Sequence, residues 1–452
     1  VTQASSTTQP TSTEPGPIWW SPDQRDIDTR ALALMDHPEV RAARERAAGW
    51  YRESAEFAAL DAPATLDVAV EGLLFCSLQF AVNDEPSRPR VMWTVRRPFS
   101  ADGRRYPPSH YGADNPDRVY RMIGVSPEHR YRVTGRRHPT HPTEDDLSLE
   151  SIPGPGLWGQ PTVRLARDGI DIAADGTFSV TADASPADGR RNHLQLHPDT
   201  KSIVVRDTLL DWSTQVPNEV SVELLDGPET GQRDDDEIAR TGVEVFERSA
   251  ERALGFFRFA LHAWPVNELV AFERAVEWGM AGGLFAVNRF ALAEGEALVI
   301  TIEALGTKYL TINACDPWTT ASDYDSRLAS LNNAQAQPND DGSYTFVLAP
   351  DDPGVSNWVD TVGLRTGAVV ARWEGMTERP PVTDTGTDDT RIWAPGSRVV
   401  DSAVRESRVV PLASVAAEIP PGQDRVTPEQ RARQVAARIA DHLVRVTGRV
   451  TS

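Results

Sequence analysis

Residues 341–373, DGSYTFVLAPDDPGVSNWVDTVGLRTGAVVARW, decide the fold because their plan is already present in residues 175–206, DGTFSVTADASPADGRRNHLQLHPDTKSIVVR. In both, Asp-Gly leads into an alternating strand, and a loop of Pro, Gly and Asp follows. Next comes Asn with a ring after it (Asn192-His193, Asn357-Trp358), and last a β-branched strand ending in Arg. Asp341 lies 166 residues after Asp175, Asn357 165 after Asn192, and Arg372 166 after Arg206. Register kept over such a distance predicts an internally duplicated domain.

Around this pair the pattern alternates between helix and strand. Residues 1–22 are polar and rich in Pro, Ser and Thr, and read as a disordered tail rather than a leader peptide. An N-terminal helical subdomain is predicted over 23–90. Its first helix spans 36–58, with a capping box of Asp36 and Glu39, and its second is an apolar, buried helix after Pro63. From about residue 115 the period changes to two, and short strands with turn residues between them predict a first β-sandwich over 91–228. A helical subdomain follows over 229–282, opened by Asp234 to Glu237 and containing a second helix near 266–280. A second sandwich is predicted over 283–376, a linker of low order over 377–424, and an amphipathic helix over 425–452. In that last helix Val435, Ile439, Leu443 and Val446 form one face, and Arg431, Arg433, Arg438, Arg445 and Arg449 lie on the others. Such a basic helix on an acidic protein is expected to dock on its own body or on another copy in a homo-oligomer. The predicted class is α+β: two antiparallel, jelly-roll-like β-sandwich subdomains interleaved with helical ones.

The 452 residues hold 66 Asp and Glu against 46 Lys and Arg, a net charge of −20. That balance argues against nucleic acid or an anionic membrane as the main partner, since both are polyanions. The longest apolar run, Val68 to Val82, is interrupted by Glu71 and Gln79 and is read as too short to span a bilayer. Cys76 and Cys315 stand far apart in apolar surroundings, as buried free thiols of a reducing, cytoplasmic compartment do.

The segments NPDRVYRM and RYRVTGRR, then YDSRLASLNNAQA, DDGSY and DPGVSNWVDTVGLRTG, resemble the bacterial family catalogued as domain of unknown function 1214. The resemblance covers about residues 115 to 373. It implies two β-sandwich subdomains interleaved with helical ones, and no established reaction. The chain departs from the family pattern between His138 and Gln160 and after about residue 380.

The most polar-dense segment is CDPWTTASDYDSRLASLNNAQAQ, which carries Asp316, Trp318, Asp323, Tyr324, Asp325, Arg327 and Asn332. Paired carboxylates near an arginine are the raw material of general acid/base chemistry, and Trp and Tyr offer a flat surface for a ring. The repeat loop adds Asn357, Trp358, Asp360 and Arg365. Against this stands the reading that these Asp and Asn side chains cap turns and that Asn357, like Asn192, braces a bend. A third segment, HPTHPTED, holds His138, His141 and Glu144. These are weak metal candidates, because prolines keep the loop extended and no helix fixes ligand spacing. No phosphate-binding Gly loop, GxSxG, HExxH or paired CxxC is present, and no cofactor is expected.

The expected function is a cofactor-independent hydrolase or lyase, possibly a glycosidase, acting on a ring-bearing small molecule such as a carbohydrate or terpenoid. In it Asp316, Asp323, Asp325 or Asp360 would supply the acid and base, Arg327 or Arg365 would hold an oxygen, and Trp318, Tyr324 and Trp358 would form the platform. The alternatives are a non-catalytic binding or scaffolding protein and a metal-dependent hydrolase.

Overall fold

Strands dominate the chain, and they are arranged twice in the same order. The computed structural model describes residues 17–54, 63–138, 147–154, 162–229, 231, 233–262, 264–273, 283–378 and 398–447. In the first half a five-stranded sheet runs Val163–Ala166, Leu147–Pro153, Thr200–Thr208, Arg118–Gly124, Val91–Thr94. In the second half a sheet of six runs Ser330–Asn332, Tyr309–Cys315, Thr366–Glu374, Leu284–Ala291, Ala271–Glu273, Arg398–Val399. Each packs on a four-stranded sheet. The first is His193–Gln195, Thr177–Asp183, Arg130–Arg136, Glu219–Asp226, and the second is Trp358–Asp360, Tyr344–Ala349, Glu296–Ile302, Val404–Pro411. Apolar side chains from both layers fill each sandwich: Ile123, Val133, Phe178 and Val205 in one, and Leu298, Ile312, Phe346 and Trp373 in the other.

The likeness extends to single hydrogen bonds. The Asn192 amide donates to the carbonyls of Asp171 and Ser179, and its Oδ1 accepts from the Asp171 N–H. Asn357 does the same with Gln337 and Thr345, each 166 residues later. Both asparagines brace short strands that pair in parallel, Thr181 with His193 and Val347 with Trp358. Neither sandwich is therefore purely antiparallel, because each short strand follows a loop that carries the chain back to the same end.

Helices cover the large sheets. Pro22–Leu34, absent from the reading of the sequence, is capped by Ser21. The next helix, Pro38–Glu53, starts at His37 and not at Asp36, since Pro38 at the first helical position sets the start. Pro63–Asn83 is buried along most of its length. Its Thr65–Asn83 portion is long and apolar enough to cross a membrane, but 78% of it lies inside the fold. Asp235–His262 opens with a reciprocal cap: the Glu237 N–H donates to Asp234 Oδ1, and the Asp234 N–H to Glu237 Oε2. One apolar cluster joins these helices to Met122 and Val204 of the first large sheet and to Phe285 and Val370 of the second. Large-sheet strands such as Arg118–Gly124 and Tyr309–Cys315 are consequently buried on both faces.

Three expectations are corrected. Where a helix was expected near 266–280, residues Ala271–Glu273 form a strand beside Leu284–Ala291, with Phe272 opposite Phe285, and 274–282 lie outside the described residues. Within the supposed linker, Val404–Pro411 pairs along the whole of Glu296–Ile302 and completes the smaller sheet. The C-terminal helix, Pro428–Thr447, docks by its arginines: Arg431, Arg438 and Arg445 are buried, whereas Ile439 and Leu443 are 44% and 53% exposed. Seven-residue spacing puts these three arginines on one helix face, above Trp358 and Trp212.

Candidate functional site

A cleft of about 260 Å³ opens where the two halves, the N-terminal segment and the C-terminal helix meet. Trp19, Trp93, Phe99, Tyr120 and Tyr324 bring rings to it, and Arg96, Arg97, Arg118 and Arg445 bring charge. Asp325 is the one carboxylate among the described residues lining it.

Its floor owes its shape to Val95. This residue ends the strand Val91–Thr94 with φ of 54°, a left-handed conformation unfavourable for a β-branched side chain. The strand ends at Thr94, and beyond this break Arg96 and Arg97, free of regular strand alternation, both line the cavity. Arg96 donates through Nη2 to both oxygens of buried Asp28, at 2.9 and 2.8 Å. Its guanidinium lies 4.5 Å from the centre of the Trp19 ring and 5.1 Å from that of Phe99. Arg97 forms ion pairs with Asp323 and Asp325 and lies over Tyr324. Arg118 pairs with Glu374 of the second half. His442, from the C-terminal helix, sits against Tyr324 and Trp212, and its Nδ1 has no partner among the described residues. Burial, helped by the charges of Arg445, Arg438 and Arg97, pushes its pKa down to about 3, so the imidazole is neutral in ordinary buffers.

Of the residues singled out in the sequence, Tyr324 and Asp325 line this cleft, and Asp323 pairs with its Arg97. The others lie elsewhere. Trp318 is core, edge-on to Tyr51 and Phe257, with its Nε1 donating to Thr65. Asp360 is buried in a pair with Arg327 (Nε to Oδ2, 2.6 Å), and its Oδ1 accepts from the Val362 N–H, which braces a loop. Burial raises the Asp360 pKa, with the Val362 and Arg327 hydrogen bonds working the other way. Arg365 meets Glu294 on the exposed surface, at 3.5 Å. Trp358 is covered by Arg431, and Asn357 is the brace already described. Asn332 donates to Asp117 and to the Leu210 carbonyl, tying the halves together. The expected platform of Trp318, Tyr324 and Trp358 is thus divided among separate sites, because each ring belongs to a different packing layer. His138 donates its backbone N–H to Asn218. His141 and Glu144 lie outside the described residues, and among those described no group of three or more metal-ligating side chains occurs.

Asp316 stands apart from the cleft. Its Oδ1 accepts from the Trp318 and Thr320 N–H groups, both at 2.9 Å. Burial nevertheless pushes its pKa up to about 7. Asp114 nearby is also pushed up to about 7, chiefly by burial and partly by the charge of Asp316, with Arg372 opposing. An acid whose folded pKa lies above its unfolded value stabilises the fold below the unfolded value, and that stability is lost as pH rises through the folded one. Between pH 4 and pH 7 the fold therefore weakens as these acids ionise. Asp316→Asn is expected to raise stability by about 1–3 kcal/mol at pH 8 and to leave it unchanged near pH 4, measured by urea unfolding at both.

The arginines of the cleft were legible as VMWTVRRPF, rings and cations interleaved after a Pro-rich break, a signal passed over in favour of the aspartate-rich loop. No family model matches the chain, and no curated protein matches it. Among solved structures, it is similar to an uncharacterised protein from Burkholderia cenocepacia at 25% identity, with a TM-score of 0.63, over 86% of this chain and 99% of that one. The VPA0106 protein from Vibrio parahaemolyticus aligns at 9% identity over 64% of this chain and 90% of its own, with a TM-score of 0.35. The first likeness extends the shared fold across nearly the whole of that chain.

Proposed function

We propose that this protein binds a small ring-bearing molecule in the cleft between Trp19, Trp93, Phe99 and Tyr324. The observation that carries the reading is the convergence of five aromatic side chains from four separate parts of the chain on one cavity large enough for such a molecule. A thermal-shift screen of glycans, terpenoids and aromatic compounds tests it. Binders are expected to raise the melting temperature and to quench tryptophan fluorescence. Trp93→Leu is expected to weaken binding about tenfold with little change in stability. An unchanged affinity in that variant would remove the cleft from consideration.

A second reading, a cofactor-independent hydrolase or lyase, draws support from His442. A neutral imidazole with a ring nitrogen unpartnered among the described residues, in the wall beside Asp325, can hold a substrate hydroxyl by a hydrogen bond, with the Asp325 carboxylate as the proton acceptor. Product analysis on any binder separates the two readings. Turnover abolished by His442→Gln with binding retained favours the enzyme.

We also read the two halves as copies of one jelly-roll-like sandwich. Their common strand order and the matched asparagine braces support this. After duplication the connecting segments were free to diverge, and the cleft lies where they meet.

A further inference from the structure

We propose that the ligand of this cleft is an organic acid, and that Arg96 is the residue that takes its carboxylate. The inference rests on the cleft being the binding site and specifies what chemistry enters it.

Arg96 is 92% buried, with 8% of its side chain exposed. Its Nη2 is committed to Asp28, yet among the described residues neither Nε nor Nη1 has a hydrogen-bond partner. Buried N–H groups of a charged side chain are nearly always satisfied in a folded protein, and each one left idle costs stability. Trp19 and Phe99, edge to face with their ring centres 4.6 Å apart, lie to one side of the guanidinium and leave the edge carrying the idle donors for an incoming group. An acceptor arriving at that edge, through the cleft that Arg96 lines, satisfies the idle donors. A carboxylate does so with a charge-assisted bond, worth about twice a neutral one.

The surrounding charge independently favours an anion. Arg97 and Arg118 are matched by acids, but Arg445 donates to the carbonyls of Pro116 and Arg118 and to no carboxylate. Arg438, one helical repeat away, donates to the Tyr324 carbonyl and the Ser330 hydroxyl. Among the described residues these two positive charges thus lack a bonded counter-charge, and they sit in a chain whose net charge is −20. An acid with an apolar ring complements both parts of the cavity, its carboxylate at Arg96 and its ring among the aromatic side chains.

The test compares 1-naphthoate with its neutral isostere 1-naphthamide, by tryptophan quenching of the full chain at pH 7.5. The acid is expected to bind at least about tenfold more tightly than the amide, as one charge-assisted hydrogen bond requires. Arg96→Lys keeps a cation beside Asp28 but removes the guanidinium edge, and is expected to cut that preference below about threefold. An amide that binds as well as the acid, or a lysine variant with the full preference, overturns the assignment. So does a screen that yields only neutral ligands, although the cleft reading then survives. If that variant does not fold, the comparison in the unmodified protein decides alone.

Discussion

Asp117→Ala is expected to unfold more of this protein than any other single change considered. Asp117 is 1% exposed and accepts three hydrogen bonds from side chains of both halves. These come from Trp212 Nε1 at 3.1 Å, Tyr309 Oη at 2.8 Å and Asn332 Nδ2 at 3.0 Å. Removing the carboxylate strands donors that have no water to turn to, at about 1–3 kcal/mol each. Tyr309 keeps a second partner in Asn115, so the total expected is about 3–6 kcal/mol. Asp117→Asn retains one acceptor oxygen and is expected to cost less than half as much. Urea unfolding followed by tryptophan fluorescence, which reports on Trp212 directly, measures both. A loss below about 1 kcal/mol for the alanine variant would mean that this hydrogen-bonded cluster contributes little to joining the halves.

The second large effect concerns the C-terminal helix. Arg438 donates its Nε to the Tyr324 carbonyl at 2.7 Å, and its guanidinium lies 4.0 Å from the centre of the Trp212 ring. Arg445 lies over the same ring at 4.8 Å. Burial pushes the Arg438 pKa down to about 10, and the side chain still carries its proton at neutral pH. Replacing Arg438 and Arg445 together by alanine removes both stacks and leaves buried carbonyls without donors. About 3–5 kcal/mol of docking energy is expected to be lost. The helix should then open, and thermolysin should cut at Ile439 and Leu443 more than about a hundredfold faster. Ligand binding should fall with it, because His442 and Arg445 form one wall of the cleft. Methionine at both positions restores bulk but no hydrogen bonds, and is expected to recover less than half of the loss.

These two fastenings show where reading the sequence succeeded and where it went astray. Alternation of apolar and polar residues placed many of the longer strands of both sandwiches, though not Leu147–Pro153, and the reading of Asn357, like Asn192, as the brace of a bend agrees with their hydrogen bonds. Strands at a sheet edge were harder. Val404–Pro411 has a mixed pattern of burial, since one neighbour and partial cover are all it receives, and it carried too little apolar signal to be told from a linker. The C-terminal helix misled for a different reason. Its apolar stripe obeyed helical spacing, but the surface beneath its opposite face offered Trp212, Trp358 and backbone carbonyls, and arginine satisfies rings and carbonyls together.

The candidate site followed the same division. Asp323, Tyr324 and Asp325 were picked out because polar residues crowd together in a loop; Tyr324 and Asp325 do line the cleft, and Asp323 pairs with Arg97, which lines it. Asp316, Asp360 and Trp318 were picked out on the same ground, yet they lie in turns and core. Local composition records that a loop is polar; it does not record which way each side chain faces. By itself the sequence determined the repeated plan, the strand periods and the acidic balance, since all three depend on neighbours along the chain. Only the tertiary structure decided that Arg96, next to the strained Val95, would meet Trp19, that Arg97 would meet Tyr324, and that all four would share a cleft with His442. That cleft joins residues as far apart as 19 and 442, and its contacts exist only after both sandwiches have closed and the last helix has settled over them.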